Sequence, residues 1–339
     1  MARRYNRRPI RPIEEMPSLF EPGKRLDEAA FEVSLTDEAQ HDARDGATAD
    51  ISDLVLPADT GLRRRPLMFI SFGSGSSGNC SYIGTTDCGI LIDAGCDNNY
   101  VTEQLLRNGI DMSAVQGIIL THDHADHVRY SYALLRRNTH MRLYCTPRTL
   151  EGLLRRHNLS RRIKDYHSPV FKEHQYHFGE LTVTPFETSH DGTDNAGFFI
   201  ERGEQTFVVA TDMGVVTERA DHYLCRACAM MIEANYDSHM LQTGRYPEYL
   251  KRRIRSERGH MDNAETAAYL ARIYTPALRH VFLCHLSQDN NTPASALDAV
   301  RDALTAAGVT VTDSTANIAP GALYLATLPR FAASQLYFL

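Results

Sequence analysis

The sequence predicts an α/β or α+β layered domain, and three observations carry that expectation. Short continuous apolar runs of strand length are bounded by Gly, Asn and Asp. Helical apolar periods interleave with those runs, and no internal repeat is visible. The first run, Leu67-Met-Phe-Ile-Ser-Phe72, reads as a buried strand, and Gly73-Ser-Gly-Ser-Ser-Gly-Asn79 as the tight loop after it. Cys80–Gly84 and Gly89–Asp93 follow as strands, then a helix over 100–109. Gly117-Ile-Ile-Leu120 is a short strand that runs into a histidine cluster. Further strands are expected at 142–145, 180–185, 197–201 and 206–211. Helices are expected near 128–137, 147–157, 246–256, 262–274 and 293–307. Pro293 suits the first turn of the last, with Asn291 or Thr292 as its cap.

Residues 1–66 have a different character. Residues 1–13 hold five arginines and no acid, whereas 14–59 hold thirteen acids against Lys24, Arg25 and Arg44. Aromatic residues are sparse, prolines recur and no apolar period persists, so such a stretch cannot bury enough surface to offset its ordering entropy. It is expected to be a largely disordered or loosely attached charged extension, with 67–339 as the domain proper. The basic arm reads as a solvated tail, with nucleic-acid contact as the alternative.

Composition narrows the classes. The 339 residues are 43% hydrophobic and 23% charged, as in a globular protein with ample core. No apolar run nears the roughly 20 residues of a membrane helix. No apolar stretch follows the N-terminal arginines to make a secretory signal, so the expected location is cytoplasmic. Seven scattered cysteines give no disulfide framework, and the lone Cys225/Cys228 pair lacks a second pair to complete a zinc site. The net charge of −6 argues against indiscriminate nucleic-acid binding.

The chemistry concentrates in Thr121-His-Asp-His-Ala-Asp-His127. Four potential ligands, His122, His124, Asp126 and His127, fall where an apolar strand breaks into a loop. Side chains at 122 and 124 of an extended segment project to one side. Asp126 and His127, beyond the bend, can then face a second centre. Imidazole and carboxylate together suit zinc, manganese or iron. Other candidates sit at strand ends: His190 and Asp191, Asp212, and His285.

This pattern, with Asp93 upstream, resembles the metallo-β-lactamase superfamily. The resemblance spans roughly residues 67–290. It implies a four-layered αββα sandwich with two divalent metal ions at one sheet edge. By that resemblance His122, His124 and His190 hold one metal, and Asp126, His127 and His285 hold the other. Asp212 bridges the two, and Asp93 orients a ligand. The common lactamase type has cysteine at the position of Asp212 and is secreted, so thioester or phosphodiester hydrolysis fits better.

Two further segments favour phosphodiesters. Ile232-Glu-Ala-Asn-Tyr-Asp237 and Gly259-His-Met-Asp-Asn-Ala-Glu265 resemble tRNase Z-like nucleases, in which a glutamate and a histidine protonate the leaving oxygen. Here these are Glu233 and His260, the latter just before a helix whose Asp262 and Glu265 have capping-box spacing. The Gly/Ser loop, GHMDN and His285-Leu-Ser-Gln-Asp-Asn-Asn291 together are similar to the YycJ/WalJ-like group, cytosolic bacterial hydrolases associated with 5′→3′ exonuclease activity on DNA. The extension and Met261, where leucine is usual, depart from that group without touching a ligand. The function expected is a dinuclear, zinc- or manganese-dependent phosphodiester hydrolase acting on DNA through a hydroxide shared by the metals. Asp126 is expected to orient that hydroxide, His260 with Glu233 to act as general acid, and Ser76, Ser77 and Asn79 to contact the terminal phosphate. The alternatives are an RNA-processing nuclease, a small-molecule phosphodiesterase or thioesterase, and a non-catalytic nucleic-acid-binding protein. Basic stretches at 136–164 and 251–258 can hold phosphates, although solvated helix faces explain them nearly as well. His140, His157, His167, His174 and His177 receive no role.

Overall fold

The computed structural model describes residues 66–316 and 318–339. The charged stretch expected to be disordered therefore lies, up to residue 65, outside the described residues. The first sheet forms from β1 (Met68–Gly73), β2 (Cys80–Gly84), β3 (Gly89–Ile92), β4 (Val115–Ile119), β5 (Arg142–Cys145) and β6 (His167–Pro169). β1 to β3 are antiparallel, as their tight connections require, while β3 to β6 run parallel through helical crossovers. Those crossovers contain α1 (Asn98–Arg107), α2 (Ala125–Val128), α3 (Ser131–Arg137) and α4 (Pro147–Arg156).

The second sheet starts with the antiparallel β7 (Tyr176–Phe178), β8 (Leu181–Glu187), β9 (Ala196–Arg202) and β10 (Gln205–Ala210). After α5 (Glu218–Leu224) it continues parallel through β11 (Ala229–Glu233), next to β10. Next come α6 (Ser238–Thr243), α7 (Glu248–Ile254), α8 (Asn263–Ile273), β12 (His280–Cys284) and α9 (Pro293–Ala306). β13 (Thr310–Thr312) and β14 (Ala322–Thr327) complete this sheet, and β15 (Tyr337–Phe338) crosses to pair with β1 in the first.

Three apolar interfaces make these elements four layers, αββα. Phe69, Ile83, Ile90 and Ile119 of the first sheet meet Phe198, Phe207, Val209 and Phe282 of the second. Ring centroids of Phe69 lie 4.8 Å from Phe207 and 5.0 Å from Phe282, and each buried ring contributes roughly 1.5–3 kcal/mol. The opposite face of β1, through Met68, Ile70 and Phe72, packs with Val101 and Leu105 of α1 and Leu153 of α4. Beyond the second sheet, Val208, Met230 and Val281 pack on Tyr223, Leu270 and Val300 of α5, α8 and α9. Strands apolar on both faces are thus a consequence of lying between two covered surfaces.

Most expected elements are present, with differences that have local causes. The helix expected over 128–137 breaks at Arg129–Tyr130 because Tyr130 N–H donates to Ala94 O (2.9 Å) and Ala94 N–H to His127 O (2.7 Å). The chain there serves the end of β3 rather than its own helix. The helix expected over 246–256 is the shorter α7, preceded by a separate α6 capped by Asp237 on Met240 N (2.8 Å). Thr292, not Asn291, caps α9 by accepting from Ser295 N (3.0 Å). β11, β14 and the short β6, β7, β13 and β15 were not expected. β11 lies at the centre of its sheet, yet Ala-Met-Met-Ile-Glu has no alternation and no Gly or Pro before it. No helix among the described residues is long and apolar enough to cross a membrane.

Candidate metal centre

The parallel strands of both sheets direct their C-terminal ends to one edge, where ligands of α/β sheets commonly lie. Three residues just past such ends, Asp93 after β3, Asp212 after β10 and His285 after β12, have φ of 61°, 53° and 55°. Among the described residues only one other non-glycine, Glu173, has positive φ. This left-handed backbone costs of order 1–3 kcal/mol at each residue, and turns each side chain back over the sheet edge.

The 121–127 segment reaches that edge from β4. Thr121 hydrogen-bonds Asp93 through its N–H (2.8 Å), and its hydroxyl lies 3.0 Å from His122 Nδ1 and 3.2 Å from His127 Nδ1. Asp123 points the other way: it is buried, accepts from Thr193 N (2.9 Å) and Oγ1 (2.5 Å), and its carbonyl lies 2.6 Å from His157 Nε2. It braces the loop, so the one acid of the cluster left without a role has a structural one. Gly95 permits the close approach: a Cβ there would overlap Asp126 O.

The expected ligands form two neighbouring triads. One nitrogen each of His122, His124 and His190 lies within 4.8 Å of the others, and the same limit holds for Asp126, His127 and His285. Asp212 lies between them. Its Oδ1 is 3.8 Å from His190 Nε2 and 3.4 Å from His285 Nδ1, and its Oδ2 is 3.3 Å from His127 Nε2. In the first triad, His190 Nδ1 is 2.9 Å from Gly259 O, which leaves Nε2 facing inward. In the second, His127 Nδ1 is 2.7 Å from Asp93 Oδ2, and His285 Nδ1 is 2.9 Å from Glu233 Oε1. Such outer contacts fix imidazole orientation.

The donor sets fit divalent cations. His122 Nε2 and His285 Nε2 are buried without a hydrogen-bond partner among the described residues, a costly arrangement unless the lone pair has another use. Charge points the same way. Burial, then the neighbouring imidazoles, hold His122 well below its ordinary pKa, and burial with His190 brings His124 down to about 4. Burial also opposes protonation of His127 and His285, yet surrounding carboxylates overcome it. Asp93, Asp212 and Asp126 raise His127 well above its usual range, and Asp212, Asp126 and Glu233 raise His285 to about 10. A concentration of anions that pulls protons onto buried imidazoles is one that a metal cation would neutralise.

Glu233 ends β11 fully buried. Its Oε1 accepts at 2.7 Å from His260 Nδ1 as well as meeting His285, while Oε2 accepts from Met213 N (2.8 Å). Against the burial that favours its neutral form, His260 and His285 hold its carboxyl below the usual range. His260 is partly open, with ring centroids 4.9 Å from His190 and 5.2 Å from His285. Asp262 caps α8 by accepting from Glu265 N (2.7 Å), which fixes the turn that presents His260. The cluster of Asp212, Glu233, His260 and His285 is therefore contiguous with both triads.

Of the three residues expected at a terminal phosphate, Ser76 is half-buried and Ser77 exposed. Asn79 is buried, and its amide is engaged within the loop and the site. It accepts from Gly75 N (2.8 Å), donates to Asp126 Oδ2 (3.1 Å) and lies 2.9 Å from His127 Nε2. It faces the second triad rather than an open surface. Sequence reasoning gave no role to Thr121, Ser74 or Asn235. Ser74 Oγ accepts from His285 N (2.9 Å), and Asn235 Nδ2 donates to His285 O (2.7 Å). The segment Glu233-Ala-Asn235, which places the asparagine two residues beyond Glu233, is the available signal for Asn235. Cys225 is exposed and Cys228 partly so, and neither joins a metal-ligating group among the described residues.

Comparison with known proteins agrees with this architecture. The Beta-lactamase superfamily domain family matches residues 89–286, more than half of the chain. Exodeoxyribonuclease YycJ of Bacillus anthracis is 33% identical over 227 residues, covering 66% of this chain and 84% of that protein. Exodeoxyribonuclease WalJ of Streptococcus pneumoniae is 30% identical over 219 residues, covering 64% and 81%. The structure of Zn(2+)-bound PqqB from Methylobacterium extorquens superposes with a TM-score of 0.56 at 16% identity, over 79% of this chain and 99% of that one. Two β-sheets covered by helices, strand-end carboxylates and histidines at one edge, and these matches lead to one conclusion: the chain belongs to the β-lactamase superfamily, as a hydrolase of the metallo-β-lactamase fold.

Proposed function

We propose that the chain is a two-metal phosphodiester hydrolase acting on nucleic acid, and specifically a 5′→3′ exonuclease on DNA. The observation that carries this reading is the Glu233–His260 pair, 2.7 Å apart and bordering both triads. A pre-oriented acid is useful when the leaving group is a poor one such as a sugar alkoxide. The two relatives named exodeoxyribonuclease support the substrate. In this reading residues 67–339 are the hydrolase domain of a cytoplasmic enzyme and 1–66 a charged extension.

His122, His124 and His190 would hold one ion, Asp126, His127 and His285 the other, and Asp212 both. Nitrogen and carboxylate donors suit zinc and manganese alike. When bound, such ions supply Lewis acidity toward phosphoryl oxygens and make water more acidic. The protein's own groups do the rest. Asp126 accepts a hydrogen bond from the attacking water and aligns it with phosphorus. Glu233 accepts a hydrogen bond from His260 Nδ1–H, which holds the ring in one orientation and directs the Nε2 proton outward. His260 delivers that proton to the departing sugar oxygen as the P–O bond breaks. Ser76 and Ser77, at the rim of the Gly/Ser loop, contact the terminal phosphate, while Asn79 holds Asp126 and His127 in place.

The test is a time course on linear, 5′-phosphorylated, end-labelled duplex DNA with added Mn²⁺, run beside Asp126→Ala. Stepwise release from the 5′ end by the parent alone is the expected result. No turnover by metal-loaded protein on DNA, with turnover on RNA or on a small phosphodiester or thioester, would replace the substrate and keep the site.

A further inference from the structure

Two basic stretches far apart in sequence converge on the loop that carries His190. Residues 155–164 contain five cations and no acid, and 245–258 contain six cations against two acids. From the end of α4, Arg155 Nη2 reaches Thr193 Oγ1 (3.4 Å) and Arg156 Nε lies 3.4 Å from Asp123 Oδ2. From the other side, Arg253 Nε pairs with Asp191 Oδ2 (2.6 Å), and Arg258 Nε donates to His190 O (3.3 Å). The metal-site loop is thus held between two arginine-bearing flanks.

Part of this charge is unspent. On α7, Lys251 pairs with Glu248 (3.4 Å) and Arg253 with Asp191. Arg252 and Arg255 are exposed and meet no carboxylate among the described residues. Tyr249 is 61% exposed, one turn before Arg252 and Arg253 and therefore on their side of the helix. An exposed ring beside the unpaired guanidinium of Arg252, with Arg255 one turn further along, suits a nucleic-acid strand, in which phosphates alternate with stackable bases.

Resting on the nuclease reading above, we propose that Arg155 of α4 and Tyr249, Arg252 and Arg255 of α7 and its C-terminus form two flanks of a single-strand-binding track leading to the metal centre. The arginines hold phosphates and Tyr249 stacks on a base. The track binds a frayed or displaced single strand, so it distinguishes a polymer from a small phosphodiester that reaches only the metals.

The experiment uses the metal-loaded full chain and a fluorescent single-stranded phosphorothioate oligonucleotide, with anisotropy measured across a salt series. Turnover of bis(p-nitrophenyl) phosphate and metal content are measured alongside. Arg252→Glu/Arg255→Glu is expected to weaken binding about tenfold or more and to reduce the salt slope by roughly 1.4, for two contacts on a single strand. Tyr249→Ala is expected to weaken binding about fivefold or more without changing the slope. Arg155→Glu should act like the α7 pair, with a smaller change in slope. In the α7 variants, whose side chains make no contact with the metal-site loop, small-ester turnover and metal content should stay at the parent's values. If charge reversal perturbs folding, the Arg→Gln counterparts give the same comparison through a milder change. Parent-like affinity and slope in the α7 and α4 variants, with the parent binding and cleaving DNA, would overturn the track and leave the nuclease reading intact. A parent that hydrolyses the small ester but neither binds nor cleaves DNA would overturn both.

Discussion

The two triads lie side by side at one sheet edge, but they are braced differently. In the all-histidine set uncharged groups back two rings, the Thr121 hydroxyl at His122 and the Gly259 carbonyl at His190, and the nearest carboxylate is Asp191, its Oδ1 3.3 Å from His124 Nε2. The other is supported by carboxylates, Asp93 at His127 and Glu233 at His285. Their protonation differs accordingly, with His122 and His124 held neutral and His127 and His285 held charged without metal. Similar ligands, then, can have very different proton affinities because of the burial and charges around them.

The strongest way to break the distinction is to remove the residue common to both sides. Asp212→Asn should reduce turnover by at least about 10⁴-fold, since residues acting as a unit fail together. Metal analysis should also show loss from the protein, and retention of full metal with full activity would exclude a bridging role. His260→Ala should leave both triads loaded while lowering kcat by about 10²- to 10³-fold. That deficit should shrink on a p-nitrophenyl ester, whose leaving group needs no proton; an equal deficit on both substrates would argue against general-acid action. Asp93→Asn meets the carboxylate-backed side directly at His127 and the other side only through Thr121, so it should weaken one of two metal affinities by about 10–100-fold and the other by less. Isothermal titration should resolve that as one strongly altered binding step beside a weakly altered one.

The smallest effect concerns pH. Metal at the second triad must displace a proton from an imidazole with a pKa of about 10, so affinity there should rise about tenfold per pH unit across the neutral range for each proton released. The first triad should depend less on pH across the neutral range, because burial holds His122, His124 and His190 below the ordinary imidazole value. In metal-free protein the raised His285 value contributes stability that is complete below about pH 6.5, the unfolded value, and disappears as pH rises through about 10. Thermal melts of chelator-treated protein should therefore decline over that interval, and a flat profile would remove this account of the second triad.

The legibility of these features in the sequence followed their locality. His122, His124, Asp126 and His127 are close in sequence, so their chemistry was visible before any fold was known. His190, Asp212 and His285 are isolated residues whose meaning came through family resemblance, and only the left-handed turns at two of them account for how they meet. Asn235, Ser74 and Thr121 act through backbone and ligand contacts that no spacing rule announces. Asn79 is marked by its place at the end of the Gly/Ser loop, but the direction of its amide depends on how the Gly75 turn closes. The same division holds for the scaffold. Strands marked by glycine, such as β2 and β3, could be read directly. β11 could not, because a fully buried parallel strand lacks the alternation that identifies a half-buried one.

The pairing of β15 with β1 has a kinetic consequence. Met68 faces Phe338 and Phe69 faces Tyr337, with Ser334 N–H and Leu339 N–H bonding back to Ser71 and Leu67. The segment that closes this edge lies roughly 270 residues further along the chain, a separation that adds only slowly to closure entropy. It bears more heavily on rate: folding slows as contacts become less local, and β1 presents unpaired backbone groups until the closing strand arrives. Refolding at high concentration should therefore partition toward association through β1, and the yield should improve on dilution.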